Sequence, residues 1–209
     1  MKRRILLLVP LLFLLASCQG EMSRNRGVTE TDPALSSIKR AEDLYRRGLY
    51  QDALRELRDA MSQIKARQTR AIVEVLPPPP RGWRASDPNT SPLAPDILGG
   101  GVKVSRHYTG PGGEEVDVSI LSQSPLIQSI LSLISSVSLT GRIGNTRLFY
   151  YRGEKALERF YPQEKRGELD VVVDGKTLVM VKGQNIPRAS VLNQFLDGID
   201  WEKMRDIIG

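Results

Sequence analysis

The chain of 209 residues has one cysteine, Cys18, and one histidine, His107. A single cysteine excludes a framework of disulfides within the chain, so the folded part has to be stabilised by a packed core. A structural zinc site normally takes four cysteine and histidine ligands, and the sequence does not supply them. We therefore expect neither a metal site nor a cofactor.

The chain also lacks a strong excess of one charge. Thirty basic residues stand against 24 acidic ones. Three of the basic residues, Lys2, Arg3 and Arg4, belong to the N-terminal segment described next. No segment has the one-sided basic excess that binding a phosphate backbone requires. Nucleic acid is therefore not an expected partner.

The apolar run of residues 5–16 at the N-terminus is short for a membrane span. A transmembrane helix needs about 20 apolar residues, whereas this run has twelve and contains Pro10. It follows a basic start and ends in small residues, which is the pattern of a secretory signal.

The end of this run, Leu15-Ala16-Ser17-Cys18, resembles the lipobox of bacterial lipoprotein precursors. The resemblance implies that residues 1–17 are a signal peptide, that Cys18 receives a diacylglyceryl group and that the new amino terminus is acylated. The membrane is then the first partner. Gln19 in place of aspartate implies the outer membrane if the host is Gram-negative. The alternative is an ordinary signal peptide with an incidental cysteine or a buried thiol.

Residues 18–32 are polar and are typical of a flexible tether. Residues 33–75 show apolar side chains at helical spacing on both sides of Gly48, which predicts two antiparallel helices. This stretch is similar to a single tetratricopeptide-repeat hairpin, with Gly48 in the turn, then Tyr50, Ala53 and Ala60. Such repeats normally need neighbours, so the hairpin either packs on the following domain or offers its concave face to a partner. For the second case we expect Tyr45 and Tyr50 to contact the partner.

Residues 76–101 contain four consecutive prolines and several glycines. Polyproline is stiff and extended, so this segment is predicted to be a spacer, with Trp83 docked on the next domain, followed by loop. The alternative is that the prolines are a ligand for an aromatic-lined groove.

Residues 102–209 alternate predicted strands and helices in the order β-β-α-β-β-β-β-α, and Asp174-Gly175 predicts a tight hairpin turn. Consecutive hairpins with few helices favour an α+β fold, here an N-terminal helical hairpin followed by an antiparallel β-sheet domain with two packed helices. The order of elements resembles that of PsbP-like domains, which implies an accessory or assembly role.

No charged residue occurs between Asp117 and Arg142. The helix predicted at 125–137 therefore has an uncharged polar face where a solvent-exposed helix usually carries charge. We expect Ser129, Ser132 and Ser136 to contact a partner or this protein's own hairpin, the alternative being an ordinary solvated helix.

Candidate catalytic residues are sparse. His107 is predicted to point outward from its strand, and no nucleophile elbow accompanies it. The carboxylates at Glu114, Glu115 and Asp117, and the pair Asp170 and Asp174, are expected to lie in solvated loops.

The sequence thus predicts a lipid-anchored cell-envelope protein that acts as a non-catalytic binding or assembly module, with another envelope protein as its partner. The alternative is a small-molecule or lipid-binding domain with an apolar pocket among residues 102–209. A third hypothesis is an enzyme that uses His107 or the carboxylates.

Overall fold

The computed structural model describes residues 32–92, 101–122, 125–136 and 141–208. The predicted signal peptide, Cys18 and nearly all of the tether lie outside these residues. The helices are α1 (Pro33–Arg46), α2 (Tyr50–Val75), α3 (Pro125–Ser136), α4 (Ser190–Asp197) and α5 (Trp201–Ile208). The strands are β1 (Arg84–Ala85), β2 (Asn89–Pro92), β3 (Val102–Thr109), β4 (Glu115–Ser122), β5 (Gly141–Ile143), β6 (Thr146–Tyr151), β7 (Glu154–Tyr161), β8 (Arg166–Val173) and β9 (Thr177–Gln184).

The predicted α+β class is confirmed. The nine strands of the described residues form one antiparallel sheet in the order β1-β3-β4-β9-β8-β7-β6-β5, with β2 also paired to β3. Strand β9 returns beside β4 because the meander β5 to β9 follows α3 and closes onto the first hairpin. The predicted turn is present, since Asp174 and Gly175 both have positive φ, 49° and 65°.

The loop predicted for the second half of residues 76–101 is partly wrong. Strands β1 and β2 pair along the outer edge of β3, whose backbone groups would otherwise lack sheet partners. Neither segment has the alternation of apolar residues that marks a strand, so the sequence did not indicate them. Strand β5 was not predicted because its three residues are too few to show an alternating pattern.

The sheet has two different faces because neighbouring residues of a strand point to opposite sides. Leu169 and Val171 of β8 pack in a core under α4, α5 and the last turn of α2. Val172, the residue after Val171, faces the other way, into a smaller core under α3 with Ile127 and Ile134. Three helices and one helix end therefore pack on the sheet, where two helices were predicted.

The hairpin is joined to the sheet by continuous packing. Helix α2 extends to Val75, which is fully buried. The Tyr108 hydroxyl donates to the carbonyl oxygen of Pro77 at 2.7 Å, and the Trp83 ring meets Phe195 with ring centroids 4.8 Å apart. The docking of Trp83 is confirmed, but the start of the proline segment is packed on the sheet and does not hold the hairpin away from it.

Within the described residues, no helix combines the length and the apolarity that crossing a membrane requires.

Candidate functional site

The hairpin of α1 and α2 has a well-defined start and turn. The Asp32 carboxylate caps α1 by accepting from the Ala34 amide at 2.9 Å and forms an ion pair with Arg67 of α2. Gly48 lies between the helices with φ 77°, a conformation that favours glycine. Across this turn Tyr45 and Tyr50 stack edge to face, 5.5 Å between centroids.

The hairpin buries its small residues and exposes its large ones. Ala41, Ala53 and Ala60 are 2–4% exposed and form the contact between the helices. The large apolar side chains of the same two helices lie outside. Eight of the ten exposed large apolar residues in the described part of the chain are on this hairpin: Ile38, Tyr45, Leu49, Tyr50, Leu54, Leu57, Met61 and Ile64.

All of these side chains except Leu49 line what we call the apolar groove. Its first part is a cavity of about 620 Å³ between the helices near the turn, lined by residues that include Ile38, Tyr45, Tyr50 and Leu57. A second cavity of about 550 Å³ lies further along α2, lined by residues that include Met61 and Ile64. The two predicted partner residues, Tyr45 and Tyr50, therefore come together in one groove.

The predicted serine surface belongs to a different part of the molecule. Ser129 and Ser132 of α3 are exposed, while the side chain of Ser136 lies outside the described residues. Helix α3 covers the face of the sheet opposite the one that receives the end of α2. The tyrosines and the serines thus do not form a single site.

A row of alternating charges crosses the sheet on the face that α3 only partly covers. Cross-strand register aligns His107, Asp117, Lys182, Glu168 and Arg159 on five neighbouring strands. His107 Nδ1 lies 3.0 Å from Asp117 Oδ1, Lys182 Nζ lies 2.9 Å from Glu168 Oε1, and Arg159 Nη2 donates to Glu168 Oε2 at 2.7 Å. We call these five residues the charged row.

Asp170 adjoins the charged row where the sheet passes under α3, and the prediction that it is solvated is wrong. Its side chain is fully buried and accepts from Arg159 at 2.8 Å, while its Oδ1 has no hydrogen-bond partner among the described residues. Burial raises the pKa of Asp170 to about 7, and Glu168 adds to the rise. Arg159 and Lys182 act in the opposite direction. Asp174, in the turn, is exposed as expected.

Asp117 and His107 of the charged row, together with Thr109, follow each other in the same order as the acid, base and nucleophile of a hydrolytic triad. Asp117 holds His107 Nδ1, and His107 Nε2 lies 3.5 Å from the Thr109 hydroxyl. The His107 and Asp117 side chains are 41% and 56% exposed on the outside of the sheet, and 3.5 Å is long for activation of a hydroxyl. The contact between His107 and Asp117 is therefore a hydrogen bond on the solvent-exposed surface of the sheet. Glu114 accepts from the Gly112 amide at 2.8 Å in the β3–β4 turn, and Glu115 is exposed.

Two cavities on the sheet domain are lined mainly by polar and charged groups. One of about 330 Å³ includes Arg159, Arg166 and Lys182 with Glu168, and one of about 550 Å³ includes Glu115 and Lys165. Neither has the apolar walls that a lipid requires. Among the described residues, no group of three or more histidine, cysteine and carboxylate side chains is placed to hold a metal ion.

Sequence reasoning found the tyrosines of the groove and missed the charged row. Each member of the row occupies an outward position in its own strand, and only the antiparallel register places them side by side. The order of the strands in the sheet, with β9 next to β4, was needed to find it.

No protein-family model matches the chain, and neither a curated protein sequence nor a solved structure shows significant similarity to it.

Proposed function

We propose that this chain is a lipid-anchored cell-envelope protein that acts as a non-catalytic binding or assembly module and docks its protein partner in the apolar groove. One observation carries the docking part of the proposal. The hairpin exposes eight large apolar side chains while alanines fill its interior.

Exposed apolar side chains are common when they are scattered, but a contiguous patch marks an interaction surface. Here Tyr50, Leu54, Leu57, Met61 and Ile64 follow one side of α2 over about four turns. Shortening or removing them would cost the fold little, since they support no core. A binding partner gives a physical reason for keeping them.

Membrane attachment is proposed from Cys18 and the lipobox resemblance. With acyl chains on Cys18, each buried methylene contributes about 0.8 kcal/mol to membrane affinity, so two or more chains hold a protein stably. In a Gram-negative host, Gln19 favours the outer membrane, with the folded part in the periplasm. The charged character of the sheet cavities favours the groove over a lipid pocket as the binding site.

The proposal is tested by site-specific photo-crosslinking in the protein's own cells, with benzoylphenylalanine in place of Leu57 or of Asp59. Both positions are exposed on α2, but Asp59 lies on the side opposite the groove. A defined crosslinked product from position 57 and none from position 59 supports docking in the groove. Equal products, or none from either position, contradict it.

A further inference from the structure

The groove-lining residues of α2 follow a heptad pattern. Tyr50, Leu57 and Ile64 are seven residues apart, and Leu54 and Met61 follow the first two by four residues. These spacings of four and three are those of the a and d positions in a coiled coil, with Leu54 and Met61 at a and the others at d. All five side chains are between 44% and 59% exposed. A seam of this kind packs against another helix, knobs into holes.

The flanking positions of the seam carry unpaired charge on one side only. Arg58 and Lys65 occupy successive e positions, on the side away from α1, and neither has an ion-pair partner among the described residues. The g positions face α1 and are Ala53, Ala60 and Arg67, the last paired with Asp32. In coiled coils the e and g residues select the partner by charge.

Resting on the proposed function, we infer that the occupant of the apolar groove is an amphipathic helix of another protein, with apolar a and d residues and acidic flanks. Acidic side chains on that helix would pair with Arg58 and Lys65. The helix would lie along α2, with Tyr45 and Ile38 of α1 closing the groove near the turn.

A second copy of this chain fits the groove poorly. Antiparallel seams bring e positions against e positions, so Arg58 and Lys65 would face the same cations of the other copy. Parallel seams would bring them against Ala53, Ala60 and Arg67, which offer no acidic group. The charge pattern therefore favours a different protein as the partner.

The experiment measures binding of two labelled synthetic helices by fluorescence anisotropy. Both peptides have about three heptads with leucine at a and d, and they differ only in glutamate or lysine at e and g. The full chain is used in lipid nanodiscs, with empty nanodiscs as the blank for peptide binding to lipid. We expect the glutamate peptide to bind about tenfold more tightly than the lysine peptide.

Two variants make the test specific. The double variant Arg58→Glu/Lys65→Glu should reverse the order of the two peptides, and Leu57→Asp should abolish binding of both. Circular dichroism melts check that each variant folds, which its exposed position favours. Equal affinity of both peptides for the wild type would overturn the acidic partner while leaving docking in the groove intact.

Other outcomes separate the inference from the proposed function. If neither peptide binds while position 57 still forms a photo-crosslink in cells, the helical occupant is wrong and the docking proposal holds. If neither binds and no crosslink forms, both fail. Self-association of the wild type that Leu57→Asp removes, seen by light scattering, would make a second copy the occupant and overturn the inference.

Discussion

Ala60 is 2% exposed, and Met61, the next residue along α2, is 54% exposed. Successive side chains of a helix point in directions about 100° apart. A shift of one residue along α2 therefore moves a side chain from the interior of the hairpin to the apolar groove. The larger side chain lies outside. The interior contact, with Ala41 and Ala53, works because methyl groups let two helices approach closely.

This contrast gives an unusual order of mutational effects. Ala60→Leu should destabilise the protein by about 1–3 kcal/mol because the added carbons do not fit between the helices. Leu57→Ala, a large-to-small change that is severe in a core, should change the free energy of unfolding by no more than about 0.5 kcal/mol. Urea unfolding of both variants measures this. A larger loss in Leu57→Ala than in Ala60→Leu would contradict the placement of these side chains.

The proposed membrane anchor makes a prediction of its own. Cys18→Ser should abolish the lipidated mature form and leave either soluble protein or uncleaved precursor, because the thiol proposed to accept the diacylglyceryl group is gone. Mass spectrometry of the wild type should find an N-terminal peptide that begins at an acylated Cys18. An unmodified cysteine in the mature chain would disprove the lipoprotein assignment.

Asp170 should make stability depend on pH. Its pKa is about 7 in the folded state against 3.8 as the ordinary value, so the folded state favours the protonated acid. The stability that this contributes is complete below about pH 4 and is lost as the pH rises through 7. Asp170→Asn should remove this loss. Between pH 4.5 and 8, the wild type should therefore lose a few kcal/mol of unfolding free energy relative to the variant.

The matched control is Asp174→Asn, four residues away in the exposed turn. Urea unfolding at pH 4.5, 6 and 8 should give the Asp174 variant the same pH dependence as the wild type. A pH dependence shared by all three proteins would show that Asp170 titrates normally.

The hydrogen bond from Tyr108 to the Pro77 carbonyl links the sheet to the end of the hairpin. Tyr108 is fully buried, and burial raises its pKa to about 12. Tyr108→Phe keeps the ring and leaves the carbonyl unpaired, so we expect a loss of about 1 kcal/mol. Tyr150→Phe, on the exposed side of β6, is the control and should have no measurable effect. Thermal unfolding compares them.

Local sequence rules predicted the elements that have strong local signals. The glycine turn of the hairpin and the Asp174-Gly175 turn depend on a few neighbouring residues. Strands β1 and β2 form because they pair with the open edge of β3. This pairing is a tertiary contact, so the local sequence does not reveal it. The burial of Asp170 likewise depends on α3 lying over β8.

The groove was half predictable. Helical periodicity identified the apolar residues of α2. An apolar stripe on a helix normally faces the core, so the pattern alone does not predict an exposed groove. Whether Leu54, Leu57 and Met61 face a core or solvent depends on where the sheet sits, and only the last turn of α2 reaches it.

Helix α2 is continuous from Tyr50 at the turn to Val75 in the core. A single helix therefore connects the apolar groove to the core of the sheet domain. A partner bound in the groove would therefore fix the orientation of the sheet domain relative to itself. Mechanical load applied at the turn would be delivered directly to the core around Tyr108 and Phe195.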